Sequence, residues 1–461
     1  MPGTARHRRR QWCIFYKAAD RRSGRKGVYM SKRMGILLLA ALLVCFTACA
    51  RKQKQDVEDD FRVAPLDGGK SLMITGYMKT KQSVRIPSRL HGKPVAVIGE
   101  SVFRRKELIS VTVPGSVTAI GDRAFAENLL TAVTVPGNVT AIGTRAFAEN
   151  MLSSVTIGNG VSVIGERAFY NNQLTGVTIP KSVATIGTEA FLENQLTSVT
   201  IANGVATIGD RAFHKNQLSS VTIPKSVATI GAEAFWENQL TGVIISNGVT
   251  VIGDWAFQEN QISGVTIGDS VTTIGAGAFY ENQLSSVAIP NSVTTIGAEA
   301  FAKNPLTNIS IAPDNPTYVI KGSFLLSKDE KQVILYLGDE ESVTIPDGVT
   351  TIGAGAFSAR QVTDVTIPDS VTSIGNRAFR GSQLTSVIIP DSVTDIGERA
   401  FASSQVASVT IGANAELGNS AFDGNFESQY ASSNYDWNTG RYTYRRIAGT
   451  YTKRGNSWTR R

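Results

Sequence analysis

The chain has 461 residues, of which 42% are hydrophobic and 18% charged. That length exceeds what one compact core usually serves, and that composition excludes a chain disordered for want of apolar residues. The net charge of +8 is local: residues 1–48 hold eleven Lys/Arg and one Asp, leaving 35 basic and 37 acidic residues, a net of −2, which excludes a nucleic-acid reading built on overall charge.

Residues 1–48 read as a targeting segment. From Met30 the chain has the parts of a secretory signal: basic Lys32 and Arg33, an apolar run from Ile36 to Phe46, then small Thr47 and Ala48. The run is short for a membrane span, which needs about 20 residues. Residues 1–29 are Arg-rich and precede this complete signal, as an over-extended start site would. Phe46-Thr47-Ala48-Cys49 resembles a bacterial lipobox, which implies a lipidated Cys49. An ordinary secretory signal and an uncleaved anchor are the alternatives. All three cysteines, Cys13, Cys45 and Cys49, lie in this region, so the body can have no disulfide framework or thiolate metal site. Residues 49–60 are polar and read as a tether.

Residues 61–103 read as an N-terminal cap followed by a degenerate first coil. A repeat array then spans 104–311. Phenylalanine recurs every 22 residues from Phe103 to Phe301, and again from Phe357 to Phe401, with Phe422 one residue early. A period of that length predicts a solenoid. In the coil of Phe213, Leu218, Val221 and Ile223 follow L-x-x-L-x-L spacing, with Val221 and Ile223 inward and Thr222 outward on a strand. Pro224 helps end the strand. Val227 and Ile230 point inward on the return. Gly231 opens a corner where a side chain would crowd or φ is positive, and Ala234 and Phe235 close it with a short helix or 3₁₀ turn. No coil stands alone, so neighbours must supply hydrogen bonds and burial.

Asparagine fills the position three residues after Phe in nine successive coils, from Asn128 to Asn304. A buried amide ladder bonded to backbone is one reading, and a surface row of amides the other. The ladder fits better, because a buried polar group left unmet costs about 1–3 kcal/mol. Later coils place Arg360, Ser382 and Ser404 there, so their corner must be satisfied differently. Residues 312–341 break the period and read as a β insert, with short strands at 317–320, 323–327 and 332–336. Residues 342–426 resume the array. Residues 427–461 form an aromatic, basic β tail, in which 441–447 and 450–454 are expected to pair as a hairpin.

The coil L-x-x-V-T-I-P-x-S-V-x-x-I-G-x-x-A-F-x-x-N, with its G-x-x-A-F corner, resembles the BspA-like, treponemal-type leucine-rich repeats of bacterial surface proteins. The resemblance runs from about Leu72 to Phe422, and the insert after Asn315-Pro316 also resembles one that interrupts such arrays. One departure is Asn where that family commonly has Cys, three residues after Phe. The resemblance implies a β-rich leucine-rich-repeat solenoid displayed at the cell surface. It also implies protein ligands: host matrix proteins such as fibronectin or fibrinogen, epithelial cells or other bacteria.

The residues themselves offer little chemistry. His91 and His214 are the body's histidines, far apart in sequence, and no metal-ligand or nucleophile–base spacing occurs. Gly275 to Phe279 is a corner rather than a phosphate loop. Glu189, Glu233 and Glu299 recur singly at corners, as a solvated face would. The expectation is a non-catalytic protein without cofactor, metal, nucleic acid or small-molecule substrate.

Three surfaces remain for recognition. The outward strand row, with Thr222, Thr156, Thr178 and Thr200, stays small and suits a sheet first and a hydroxyl lattice second. The position after Phe varies: Tyr170, Leu192, His214, Trp236 and Tyr280, with Trp255 nearby, form the candidate binding stripe, either as interface anchors or as gap-fillers. The tail offers Trp437, Tyr442, Tyr444 and Trp458, as an acidic-partner site or as a cap on the last coil. The sequence reading is thus an exported, lipid-anchored outer-membrane surface protein acting as an adhesion module. The alternative is a periplasmic or envelope scaffold lipoprotein with no host partner.

Overall fold

A computed structural model describes residues 58–423, 426, 431–436, 441–446, 448–454 and 457–460. The targeting segment with Cys49, and Trp437 of the tail, lie outside the described residues.

Each coil contributes a strand of three or four residues and a second strand of two, such as Ser220–Ile223 and Thr229–Ile230. Both run parallel to their equivalents one coil away, in a register of 22: Ile208, Ile230 and Ile252 lie side by side. The two-residue strands continue one sheet of thirteen strands from Phe61–Leu66 to Thr295–Ile296, while the longer strands pair in groups of two or three. The alternation in Ser220–Ile223 decides its faces: Val221 and Ile223 are buried, Ser220 and Thr222 exposed. Leu218, Ile223, Val227, Ile230 and Phe235 are fully buried and form the core.

The corner is built from two tight turns. Ala212 N–H donates to the Gly209 carbonyl at 3.2 Å and His214 N–H to the Arg211 carbonyl at 3.1 Å, the i→i−3 pattern of a 3₁₀ turn. Arg211 adopts left-handed backbone, φ 54°, so no helix propagates. Gly231 serves the other purpose expected of it: a Cβ there would lie 2.5 Å from the Asp210 nitrogen of the preceding coil. The left-handed positions are the residue two before Phe and the residue two after it, as in Glu233 and Glu237 (φ 57° and 51°) around Phe235. The Phe rings stack in a column from Phe103 to Phe301, with centroids 5.0–5.6 Å apart and planes within 11° of parallel.

Both ends of the array are capped. Phe61–Leu66 pairs antiparallel with Ser71–Tyr77, and the Tyr77 ring packs 5.2 Å from Phe103. At the far end Ser408–Ile411 pairs antiparallel with Gly449–Arg454, which pairs in turn with Ser457–Arg460. Arg441–Arg446 pairs with Ala431–Asp436 instead of with Gly449–Arg454, so the hairpin expected around Ala448-Gly449 is replaced by two others. Gly449–Arg454 is thereby paired on both edges, with the last coil's strand on one side and Ser457–Arg460 on the other, and the array's open edge is covered.

Between the arrays, Tyr318–Lys321, Phe324–Ser327 and Gln332–Tyr336 form an antiparallel unit, and Gln332–Tyr336 continues in parallel into Thr351–Ile352 of the second array. Alternation lets it serve two cores: Leu325 and Leu335 pack into the first, Phe324, Leu326 and Tyr336 into the second. Tyr336 takes the place of a repeat Phe. Its N–H donates to the Ala356 carbonyl at 2.9 Å, and its ring stacks 5.1 Å from Phe357. Tyr318 closes the first array, its hydroxyl accepting from Ile296 N–H at 2.8 Å where the next strand would have been.

Candidate functional site

The Asn row is a buried ladder. Asn216 Nδ2 donates to the carbonyls of Phe191 and Phe213 at 2.9 and 3.1 Å, and its Oδ1 accepts from Leu196 N–H at 3.0 Å. Each amide thus joins two coils, and the row is unavailable to a ligand. Later coils differ. Arg360 reaches the Leu306 carbonyl of the first array at 3.0 Å, and burial pulls its guanidinium below the usual arginine value. Ser404 Oγ donates to the Phe401 carbonyl. Ser382 Oγ is buried without a partner among the described residues.

The corner carboxylates are not a solvated face. Glu189 and Glu299 are 6% and 5% exposed. The 22-residue register stacks the residues two before each Phe, so opposite charges alternate: Arg167 with Glu189, Glu189 with Arg211 at 3.7 Å, and Arg211 with Glu233. The Glu189 carboxylate holds the Arg167 guanidinium above its ordinary value. After Glu233 the row continues with Trp255, Gly277 and Glu299.

The aromatic stripe divides into covered and accessible members. Leu192, His214 and Tyr280 are buried, whereas Tyr170, Trp236 and Trp255 are half-buried. Tyr170 hydroxyl donates to Glu193 at 3.3 Å, and burial pushes its pKa up. His214 stacks on Trp236 at 4.4 Å, and burial pushes its pKa down against the opposing pull of Glu237. His91 is remote from it, beside Glu58. The Trp255 ring lies over Gly277, where a Cβ would come within 1.9 Å of it, and meets Tyr280 edge to face at 5.6 Å. Lys303 sits 4.9 Å from the centre of the Tyr280 ring. Leu192 and His214 therefore act as supports beneath the surface, whereas Tyr280, though largely covered, still shows an edge to the cleft described next.

Three stripe members, Trp236, Trp255 and Tyr280, line one wall of a cleft of about 330 Å³ whose opposite wall is Arg377, Arg380 and Arg399 of the second array. Glu233, Gln258 and Glu299 complete it. Glu299 fixes the two walls: its carboxylate accepts from Ser358 Oγ at 2.9 Å and from Arg377 Nη1 at 3.2 Å. Its side chain also crosses onto Gly355, where a Cβ would lie 2.3 Å from Glu299 Cγ. The sequence reading missed the arginines. Arg377 and Arg399 stand in the same G-x-x-A-F slot as Glu299, but the insert hides that the three slots meet.

The other surfaces fare differently. The outward strand row is not uniformly small, since Ile244 and Ile388 stand in it, 54% and 69% exposed. Trp458 is buried: its Nε1 donates to the Asp423 carbonyl at 2.6 Å, and its ring meets Phe426 edge to face at 5.0 Å. It belongs to the cap and offers no surface to a partner. Tyr442 and Tyr444 lie on the strand Arg441–Arg446. Among the described residues no helix is long and apolar enough to cross a membrane.

Similar solved structures include a leucine-rich repeat protein from Bacteroides ovatus, 20% identical over 80% of this chain and 91% of that one, with a TM-score of 0.47. A leucine rich cell surface protein from Faecalibacterium prausnitzii is 22% identical over 80% of this chain and 95% of that one, with a TM-score of 0.34. The pneumococcal vaccine antigen PcpA is 19% identical over 78% of this chain and 82% of that one, with a TM-score of 0.41. A comparison with curated proteins finds no match. The family profile described as BspA type Leucine rich repeat region (6 copies) matches residues 96–219, 206–329 and 336–433. These matches cover well over half of the sequence, and the chain belongs to the BspA-type leucine-rich-repeat family.

Proposed function

We propose that this chain is an exported, non-catalytic protein-binding module, held at the bacterial outer surface by a lipid on Cys49 and serving adhesion to host matrix proteins or cells. The carrying observation is the division of labour within the coil. The repeated Phe, Asn, Leu, Val and Ile are buried in core and ladder, while side chains that vary between coils converge on one cleft. Trp, Tyr and Arg, which form that cleft, are the residues that most often anchor protein interfaces. The BspA-type family and the secretory pattern from Met30 to Cys49 support the location.

Two measurements on intact cells test this. Metabolic labelling with a fatty acid should mark the wild type and not Cys49→Ala, and external protease should degrade the chain. Capture of cells or purified chain on immobilised fibronectin or fibrinogen then tests the partner class. A chain sealed from protease in intact cells would instead fit the envelope scaffold and end the surface reading.

A further inference from the structure

We infer that the cleft between the two arrays binds a short acidic segment of a protein partner, with one carboxylate on Arg380 and Arg399 and a neighbouring apolar side chain against Trp236 and Trp255. This rests on the reading of the chain as a protein-binding module and names the chemistry of its ligand.

The charges in the cleft are unequally engaged. Glu299 occupies Arg377, and Glu233 is engaged by Arg211 of the preceding coil. Arg380 has no ion-pair partner among the described residues, and Arg399 has Glu398 at 3.6 Å, with both of these side chains about half exposed. An exposed pair of that kind contributes little, so both guanidinium forks are available. A guanidinium matches a carboxylate geometrically, through paired N–H donors.

The opposite wall supplies apolar contact that is already in place. Trp236 is backed by His214, and Trp255 is seated on Gly277, so neither ring must be ordered when a ligand arrives. The wall positions are set by Glu299 across the junction, which also lowers the ordering cost of binding. A volume of about 330 Å³ is at the small end for ligand pockets and suits one or two side chains.

The net charge selects among anions. Three arginines and two glutamates line the cleft, a net of +1. One carboxylate is attracted, whereas a dense polyanion would bring further charges onto Glu233 and Glu299. This favours an acidic peptide over heparin-like chains or nucleic acid.

The test uses the full chain in mild detergent. It is applied to arrays of amide-capped pentapeptides that mix Asp or Glu with Leu, Phe or Tyr, and to the same arrays with Asn or Gln in place of the acids. The acidic arrays should retain the chain about tenfold better, the size expected from about 1.4 kcal/mol. Added salt should weaken retention. The double variant Arg380→Glu, Arg399→Glu should abolish it, and Trp255→Leu should reduce it, each with an unchanged circular dichroism melt. Lys181→Glu, exposed and outside the cleft, should leave it unchanged. Equal retention on both arrays, no retention on either, or retention that survives the double variant overturns the assignment. So does binding of sialyllactose or heparin without binding of the acidic peptides. If the double variant still captures matrix proteins as the wild type does, the cleft assignment falls and the protein-binding reading stands. A wild type that captures neither matrix proteins nor peptides removes both.

Discussion

The ten coils up to Phe301 and the four from Phe357 share one backbone plan and close their corners in two ways. In the first array an Asn amide bridges each coil to the one before it, nine times in succession. In the second array the same position holds Arg360, Ser382 and Ser404. Among the described residues, Arg360 bonds back across the insert, Ser404 bonds only its own coil, and Ser382 has no side-chain partner. Yet the second array keeps the stacked rings, at 4.7–5.1 Å, and the 22-residue strand register. The Phe column and the strand ladders therefore suffice to hold a coil. The Asn ladder adds a polar lock along the longer array, where small errors of register would accumulate over more coils.

Breaking the ladder should give the largest effect. Asn216→Ala leaves the amide of Leu196 without its partner inside the core, and takes from the carbonyls of Phe191 and Phe213 one of the two ladder amides that each accepts, the others being Asn194 and Asn238. One unmet buried N–H costs about 1–3 kcal/mol, and with two carbonyls each losing a further bond the loss should come to about 3 kcal/mol. It should appear in urea unfolding and as faster hydrogen exchange at Leu196 and its neighbours. A cost below that of any matching change in the second array would sink the lock.

The next effect lies at the seam. Glu299→Ala removes the carboxylate that takes Ser358 and Arg377 from the second array, and leaves a buried serine hydroxyl unmet. The expected cost is about 1–3 kcal/mol. More telling, thermal unfolding should separate into two transitions, because the contacts of a solenoid are local and each array has its own core. Glu299→Gln, which keeps the shape and the hydrogen-bonding oxygen, should lie between. A single unshifted transition in both variants would show that the insert alone couples the arrays.

These two sites also show what the sequence reveals and what it withholds. The ladder is legible because a strict period stacks identical residues, so Asn128 to Asn304 must meet one another's coils whatever the exact path of the chain. The ring column and the strand register follow for the same reason. Glu299 is not legible. Its partners lie 59 and 78 residues away, beyond an insert that breaks the period, so no spacing rule connects them. The cleft was half visible for the same reason: the stripe supplied Trp236, Trp255 and Tyr280, and the arginines of the facing wall were out of reach. Trp458 stayed open between two readings because an aromatic in a basic tail reads alike as an anchor and as a cap, and only its burial separates them. The left-handed positions carried no signal at all, since Arg211, Glu233, Lys215 and Trp255 are not residues that favour such backbone.

A smaller effect of opposite sign is expected inside the second array. Ser382 is fully buried and its hydroxyl has no partner among the described residues. Removing an unmet polar atom from a core is neutral or favourable, so Ser382→Ala should change stability by zero to about +1 kcal/mol. Set beside Asn216→Ala, it sharpens the contrast: one position of the repeat, two arrays, and truncations with opposite outcomes. A loss above about 1 kcal/mol would mean that the hydroxyl is bonded after all.

The smallest expected effect tests the backbone that both arrays share. Ala359 lies two residues after Phe357 in left-handed conformation, φ 58°, and the equivalent residue one coil later is Gly381, φ 67°. Both N–H groups are bonded alike, to the Arg380 carbonyl at 2.8 Å and to the Ala402 carbonyl at 3.0 Å. The methyl of Ala359 therefore bears a left-handed penalty of about 1–2 kcal/mol that glycine avoids. Glycine in turn loses more freedom on folding, by about 0.5–1 kcal/mol. Ala359→Gly should thus stabilise by about 0.5 kcal/mol, and Gly381→Ala should destabilise by a similar amount. A new Cβ at Gly381 would find its nearest atom at 3.9 Å, so the reverse change reports the backbone rather than a clash. In the first array the same substitution should lose its benefit where the residue also makes an ion pair, as Lys303 does with Glu281 at 3.0 Å. There the left-handed residue keeps a side-chain contact that glycine lacks, and a loss of a few tenths of a kcal/mol is enough to offset the gain of about 0.5 kcal/mol.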